Sequence, residues 1–152
     1  MAEFDPRATF ERFVALVNGG DVNALDEILH PEFEETWPQS GERVRGVANF
    51  KAILANYPGG PQKREIERIV GSEDRWVFTP SQTLLRIGGA GEVYTGVFRT
   101  RYPDGSRWYV IQVLEFKDRR VWHAQTFFAP VFDAPEWRRQ WVERTDEGKT
   151  GN

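Results

Sequence analysis

The chain has 152 residues, a formal net charge of −3 and no cysteine, and 39% of its residues are hydrophobic and 14% aromatic. This length suits one domain with a substantial core, and the lack of thiols excludes disulfides and thiolate metal sites. The scattered Lys and Arg residues form no nucleic-acid-binding stripe, and no apolar run reaches the length of a membrane span.

The first predicted helix has a clear start and a clear end. Asp5 can cap its first turn, and Pro6 can begin it because no amide donor is needed there. Its apolar residues recur at helical spacing on one face: Phe10, Phe13, Val14 and Val17. Gly19 and Gly20 then end the helix.

The next segment predicts a second helix, a short strand and a third helix. Asp21 can cap the second helix, which carries Leu25, Ile28 and Leu29 and ends at His30–Pro31, where the imidazole can bond exposed carbonyls. A short strand at 33–37 and a loop, PQSGERVRG, follow. The third helix spans 47–57, and the motif PGGP breaks it.

From Arg64 onward the apolar period changes to two, which predicts strands. We expect five of them, at 64–70, 75–87, 92–102, 107–116 and 121–129, separated by the turn signals GSED, GGAG, PDGS and KDRR. The short links favour an antiparallel meander.

The C-terminal segment predicts a closing helix. Asp133 and Glu136 form a capping-box pattern, and Trp137 and Trp141 would share one face. No linker or repeat divides the chain, so we expect one domain over residues 1–146 and a disordered tail at 147–152. The N-terminus has no secretory signal pattern, which favours a cytoplasmic protein.

Helices followed by a run of strands indicate an α+β domain. The order of elements resembles the nuclear transport factor 2-like superfamily, in particular its SnoaL-like members, which include polyketide cyclases and relatives of ketosteroid isomerase. The resemblance is carried by FVALVNGGDVNALDEILHPEF, PQSGERVRG and RRVWHAQTFFAPVF. It implies a cone-shaped (cystatin-like) fold, with a curved antiparallel sheet wrapped around the N-terminal helices and a C-terminal helix.

The catalytic sets of the superfamily do not transfer to this chain. Ketosteroid isomerase uses a tyrosine, an aspartate base and an acidic donor. By resemblance, the corresponding positions of this chain hold Phe13, Trp37 and Gln112, respectively. Where SnoaL-like cyclases carry a His and an Asp on the last strand, it has Ala124 and Thr126. We therefore expect no cofactor and no metal site.

The resemblance and strand alternation together define candidate ligand-binding residues. If Gln112 points inward, alternate residues of its strand and of the neighbouring strand do so too. The residues expected to line an apolar, aromatic-rich pocket are Phe13, Val17, Trp37, Leu54, Tyr57, Trp76, Tyr94, Phe98, Gln112, Leu114, Thr126 and Phe128.

Two polar residues are candidate catalytic groups, each with a second interpretation. Glu35 is the inward carboxylate of the short strand; it could act as a general acid or base, or lie at the rim, solvated or paired with Arg43 or Arg45. Gln112 needs a hydrogen-bond partner if buried, and a ligand carbonyl, Tyr94 or Thr126 could supply it.

Outward residues of the last strand suggest an interface. His123, Gln125 and Phe127 alternate away from the pocket, which favours a subunit contact over a catalytic dyad, and the resemblance implies a homodimer through this outer sheet face.

These observations predict a protein that binds a small hydrophobic molecule. One alternative is an isomerase, cyclase or dehydratase that acts by proton transfer with Glu35 as base and Gln112 and Tyr94 or Tyr102 as donors. Another is a non-enzymatic dimerisation module with a filled core.

Overall fold

The computed structural model describes residues 3–71, 75–78, 84–87 and 93–145, with only the backbone described at 75–78 and 84–87. In chain order the elements are α1 (Pro6–Val17), α2 (Leu25–Ile28), β1 (Leu29–Trp37), β2 (Glu42–Arg45), α3 (Val47–Ala55), β3 (Lys63–Gly71), β4 (Arg75–Phe78), β5 (Leu84–Ile87), β6 (Val93–Arg101), β7 (Arg107–Lys117) and β8 (Arg120–Pro130). Short 3₁₀ segments lie at Val22–Ala24 and Glu136–Trp141. None of the helices in these ranges is long and apolar enough to cross a membrane.

Six strands form one curved sheet in the order β2-β1-β8-β7-β6-β3. The predicted antiparallel meander is confirmed for β6, β7 and β8, but β1 pairs with β8 in parallel, so the sheet is mixed. Turn lengths fix the pairing of strands that are adjacent in sequence. They say nothing about the pairing of β1 with β8, which is formed by distant segments.

Helix α1 begins and ends as its sequence predicts, and its apolar face is buried. Asp5 Oδ1 accepts a hydrogen bond from the Ala8 amide at 3.0 Å, and Pro6 is the first helical residue. At the other end, Asn18 bonds both backbone groups of Arg64, with Oδ1 accepting from its N–H and Nδ2 donating to its carbonyl, each at 2.8 Å. This pair ties the end of α1 to β3.

The second helix is shorter than predicted. It ends at Ile28, and Leu29 and His30 already belong to β1, because a residue before a proline disfavours the helical conformation and buried Leu29 pairs with Val121. His30 is therefore not a helix terminator. Its Nδ1 accepts from the Glu32 amide at 3.0 Å, and its Nε2 lies 3.3 Å from Asp118 Oδ2.

Two other predicted segments differ in the structure. The loop PQSGERVRG contains β2, which pairs with the end of β1 around a turn at Gly41, a glycine with φ of 75°. The single strand predicted at 75–87 is wrong, because β4 and β5 pair with each other as separate antiparallel strands. The sequence between them contains Pro80, which cannot donate to a strand ladder.

The predicted closing helix is wrong in type. Glu136–Trp141 is a 3₁₀ segment without a side-chain cap, and Trp137 and Trp141 are 72% and 71% exposed. A short helix needs tertiary packing to persist, and these side chains receive little. The predicted tail at 147–152 lies outside the described residues, as does the end of the predicted domain at 146.

The inward and outward faces of the central strands follow the predicted alternation. Val110, Gln112, Leu114 and Phe116 of β7 are buried. On β6, Phe98 and Thr100 are buried, whereas Arg99 and Arg101 are exposed. The α+β fold predicted from the sequence is confirmed.

Candidate functional site

A row of buried polar side chains crosses the concave face of the sheet. It runs from Glu35 on β1 through Thr126 on β8 and Gln112 on β7 to Arg64 on β3. Thr126 Oγ1 donates to Glu35 Oε1 at 2.5 Å, and Gln112 Nε2 donates to Glu35 Oε1 at 3.2 Å and to Thr126 Oγ1 at 2.9 Å. Arg64 Nη1 donates to Gln112 Oε1 at 3.4 Å. We call these four residues the polar row.

Strand register explains how the row is assembled. Thr126 and Gln112 are direct cross-strand partners, and Glu35 pairs with Ala124 on the same face of β8. On β6, Gly96 lies opposite Gln112, and a Cβ atom there would meet the rings of Phe98 and Phe10 at 2.5 and 2.7 Å. Glycine is therefore needed where the sheet receives the α1 aromatic side chains.

Glu35 lies inside the protein, so of its two interpretations the one that places it at the rim of the cone, solvated or paired with Arg43 or Arg45, is wrong. It is 2% exposed, and Arg45 and Arg43 instead contact its outward neighbour Glu34, at 3.3 and 4.0 Å. Both hydrogen bonds that described residues make with the Glu35 carboxylate end on Oε1. The carboxylate is therefore held in one orientation by Thr126 and Gln112.

Gln112 connects the two charged ends of the row. Both bonds from its amide nitrogen go to protein oxygens, and its carbonyl oxygen accepts from Arg64. Thr126 is therefore the partner it finds, one of those proposed from the sequence, and Tyr94 is not. Glu35 and Arg64 join the set as partners the sequence did not indicate.

Arg64 was not identified from the sequence. It is 9% exposed, no carboxylate of the described residues lies within ion-pair distance, and its Nε has no hydrogen-bond partner. Burial lowers the pKa of Arg64, and the nearby charge of Glu35 is the largest influence opposing that decrease. The guanidinium of Arg64 lies over the ring of Phe98, with 5.7 Å between the guanidinium carbon and the ring centroid.

Two more buried polar atoms near Arg64 lack partners. Thr100 is the direct cross-strand neighbour of Arg64 and is 2% exposed, and its Oγ1 makes no hydrogen bond. Gln62, 5% exposed, has an unpaired Oε1. Buried polar atoms are nearly always satisfied in folded proteins, so three unpaired atoms in this stretch need an explanation.

Partly buried aromatic side chains lie on one side of the polar row. Tyr57 stacks on Tyr102 with centroids 6.1 Å apart, and Trp108 meets Tyr102 edge-on at 5.7 Å. On the opposite strands, Trp37 meets Phe128 edge-on at 6.4 Å. We call these five residues the aromatic rim. Burial is the main cause that raises the pKa of Tyr102 to about 12, and the pKa of Tyr57 is raised as well.

The other side of the row is filled. Phe33, Ala124 and Leu114 are the next inward residues there, and their exposed fractions are 0%, 4% and 0%. Phe33 packs edge-on against Phe50 at 5.2 Å, and Phe13 stacks on Phe50 at 5.9 Å. We call this side the closed end.

The structure separates the candidate ligand residues into groups. Trp37, Tyr57 and Phe128 lie in the aromatic rim, and Gln112 and Thr126 in the polar row. The remaining ones with described side chains pack into or against the hydrophobic core: Phe13, Val17, Leu54, Tyr94, Phe98 and Leu114. The Trp76 side chain lies outside the described residues.

The outer face of the sheet carries the residues expected at an interface. His123 Nδ1 lies 3.1 Å from Glu115 Oε2, while Gln125 and Phe127 are exposed. A cavity of about 280 Å³ surrounds His123 on this face. A larger one, of about 570 Å³, lies along the ends of β3, β6 and β7 and is lined by residues of both faces, among them Arg64, Thr100 and Trp108. In the described ranges no cluster of three or more His, Asp or Glu side chains could hold a metal ion.

Comparison with known proteins identifies the class. The SnoaL-like domain family matches residues 10–124, and the chain therefore belongs to that family. A search of the curated proteins gives no match.

Solved structures share the fold. An NTF-2 like protein of unknown function from Burkholderia xenovorans LB400 is 26% identical, with a TM-score of 0.69 over 92% of this chain and 94% of that one. A candidate ketosteroid isomerase from Kribbella flavida DSM 17836 is 21% identical, with a TM-score of 0.70 and coverage of 92% and 89%. A steroid delta-isomerase from Pseudomonas aeruginosa is 18% identical, with a TM-score of 0.60 and coverage of 85% and 82%.

Proposed function

We propose that this chain binds a small, mainly hydrophobic molecule with a polar oxygen, between the aromatic rim and the polar row. The supporting observation is a contrast on β1 and β8: Phe33 and Ala124 on one side of the row are buried, whereas Trp37 and Phe128 on the other side are only partly buried. Half-buried aromatic side chains around a few buried polar groups are typical of small-molecule sites.

A thermal-shift experiment tests this binding. Neutral probes such as naphthalene-2-carboxamide, a steroid ketone and a terpenoid ketone should raise the unfolding midpoint as their concentration increases. Trp37→Ala should abolish the shift, and Trp137→Ala, which changes an exposed tryptophan, should leave it intact. The proposal fails if no probe stabilises the protein, or if both variants respond like the parent.

A second candidate is proton-transfer catalysis with Glu35 as base. It is favoured by the arrangement of that carboxylate, because Glu35 is 2% exposed and its Oε1 is held in place by two donors, Thr126 and Gln112. A fixed carboxylate can take a proton from a carbon beside a carbonyl and return it elsewhere. Two of the similar structures are described as isomerases of this kind of substrate.

Turnover of a Δ5-3-ketosteroid provides the test of this candidate. Glu35→Gln should lower the rate about a hundredfold or more, since it removes the base. Glu34→Gln, which changes the adjacent outward carboxylate, should keep nearly full activity. Turnover by the Glu35 variant at the parental rate would exclude this role.

We also propose that the chain forms a homodimer through the outer sheet face. Ile111 and Phe127 are direct cross-strand partners there and are 40% and 37% exposed, and Val97 continues the apolar strip on β6. His123 and Gln125 lie beside this strip.

Light scattering tests the homodimer: the parent protein should have twice the mass of one chain, and Phe127→Glu should have the mass of a single chain. A monomeric parent protein would contradict the proposal. A dimer that binds no probe would favour the dimerisation-module alternative.

A further inference from the structure

Arg64 is the one buried Lys or Arg side chain in the described part of the chain, and its hydrogen-bonding capacity is largely unused. A guanidinium carries five N–H donors. The described residues accept one bond from it, through Nη1, and that bond is long at 3.4 Å. Because a buried charge is costly unless it is paired, this arrangement is incomplete as it stands.

The unused edge of the guanidinium has a defined shape. Nη1 is directed to Gln112, and Nε, which is unpaired, lies on the edge that it shares with Nη2. That edge presents two parallel N–H groups, the geometry that binds both oxygens of a planar carboxylate.

Thr100 adds a donor at the same place. It is the cross-strand partner of Arg64, its hydroxyl is buried, and the hydroxyl makes no hydrogen bond. Gln62 Oε1 is the third unpaired atom; as an acceptor it suits a hydroxyl group or an amide and cannot bind a carboxylate.

The position of Arg64 is fixed from the other side. Asn18, at the end of α1, clamps both backbone groups of Arg64, and the Phe98 ring lies against the guanidinium. The backbone of Arg64 is therefore held in place, and burial restricts its side chain, which reduces the conformational entropy lost when it binds a partner.

We propose that the molecule bound in the cone carries a carboxylate, held by Arg64 through its Nε edge and by the Thr100 hydroxyl, with the apolar body against the aromatic rim. This inference rests on the proposed binding function and specifies its substrate class. The ligand carboxylate would lie at the β3 end of the polar row. Glu35 contacts Arg64 only through Gln112, so Glu35 does not occupy the Nε edge of Arg64.

The test compares naphthalene-2-carboxylate with naphthalene-2-carboxamide, which have the same ring and size, by isothermal titration. The parent protein should bind the carboxylate at least tenfold more tightly, as expected for hydrogen bonds to a charged group. Arg64→Gln should remove this preference. Arg68→Gln, which changes an exposed arginine of the same strand, should retain it.

Two further variants separate recognition from folding. Arg64→Lys keeps the charge but loses the two-pronged edge, so the preference should fall about tenfold even though the chain remains cationic there. Thr100→Val should weaken carboxylate binding without lowering the unfolding midpoint, because its hydroxyl has no partner to lose.

Equal binding of the two probes by the parent protein would overturn the carboxylate assignment while leaving the binding function standing. Binding of neither probe would overturn both proposals. If Arg64→Gln and Arg64→Lys fold and still prefer the carboxylate, Arg64 is not its receptor, and the inference is wrong.

Discussion

Phe33 and Trp37 lie on the same face of β1, two residues to either side of Glu35, but their surroundings differ. Phe33 is fully buried and contacts Phe50 in the closed end. Trp37 is partly exposed and contacts Phe128 in the aromatic rim. The same strand therefore contributes a core residue, a buried carboxylate and a rim residue in succession. The two positions show that burial changes along β1 from one side of the polar row to the other, from a core residue to a partly exposed aromatic residue.

Alanine substitutions at these two positions test this difference most strongly. Phe33→Ala should cost about 3–5 kcal/mol of unfolding free energy, because a fully buried ring leaves a cavity. Trp37→Ala should cost only about 1–2 kcal/mol, since less apolar area is withdrawn from water. Urea unfolding measures both values. Equal losses would remove the distinction between the closed end and the rim.

The charged ends of the polar row should be energetically coupled. Glu35→Gln and Arg64→Gln should each cost about 1–3 kcal/mol, because each leaves a buried charge without its counterpart. The double variant should cost less than the sum of the two. A double-mutant cycle measures this coupling, and strict additivity would show that Gln112 does not connect the two charges.

Two threonines on the same face make a matched pair. Thr126→Val removes a hydroxyl that both donates and accepts within the row, and should cost about 1–2 kcal/mol. Thr100→Val removes a hydroxyl without a partner and should change stability by less than about 0.5 kcal/mol, or increase it. Thermal and urea unfolding distinguish these outcomes. A larger loss at Thr100 would mean that its hydroxyl is satisfied in solution.

The rim should make stability depend on pH under alkaline conditions. Because burial raises the pKa of Tyr102 from 10.0 to about 12, the folded protein retains a proton that the unfolded chain releases. This contribution is fully present below pH 10 and is lost as the pH rises toward 12. Tyr102→Phe should flatten the decline across that window. An ultraviolet titration of the folded protein in which Tyr102 ionises with the ordinary pKa of a tyrosine, 10.0, would contradict this prediction.

Much of the fold could be predicted because local signals agreed with the final packing. The cap at Asp5, the apolar face of α1 and the alternation along β7 all hold in the structure. The start of β1 is different: the sequence predicts a strand from residue 33 and a helix that carries Leu29, whereas β1 begins at Leu29. The reason is that Leu29 pairs with Val121 of β8, which is distant in sequence.

The candidate site could be predicted only in part, and Arg64 shows why. Strand alternation predicts Phe98 on the inner face, and the resemblance predicts Thr126 there; both are buried. On β3, a register shift between Ile66 and Arg68 breaks the period of two, and Ile66 is 36% exposed while Arg64 is buried. An arginine in an edge strand is ordinarily solvated, so no local pattern marks this one as buried. Its position depends on the clamp from Asn18, a contact between residues far apart in sequence.

A crystal structure of the protein with naphthalene-2-carboxamide, which carries no charge, tests the proposed binding site most directly. We expect the naphthalene ring to lie within the aromatic rim, against Trp37 and Tyr102, and the carboxamide oxygen to approach the polar row. A ring bound on the outer sheet face or at the exposed Trp137, with the rim side chains closed over the row, would contradict it.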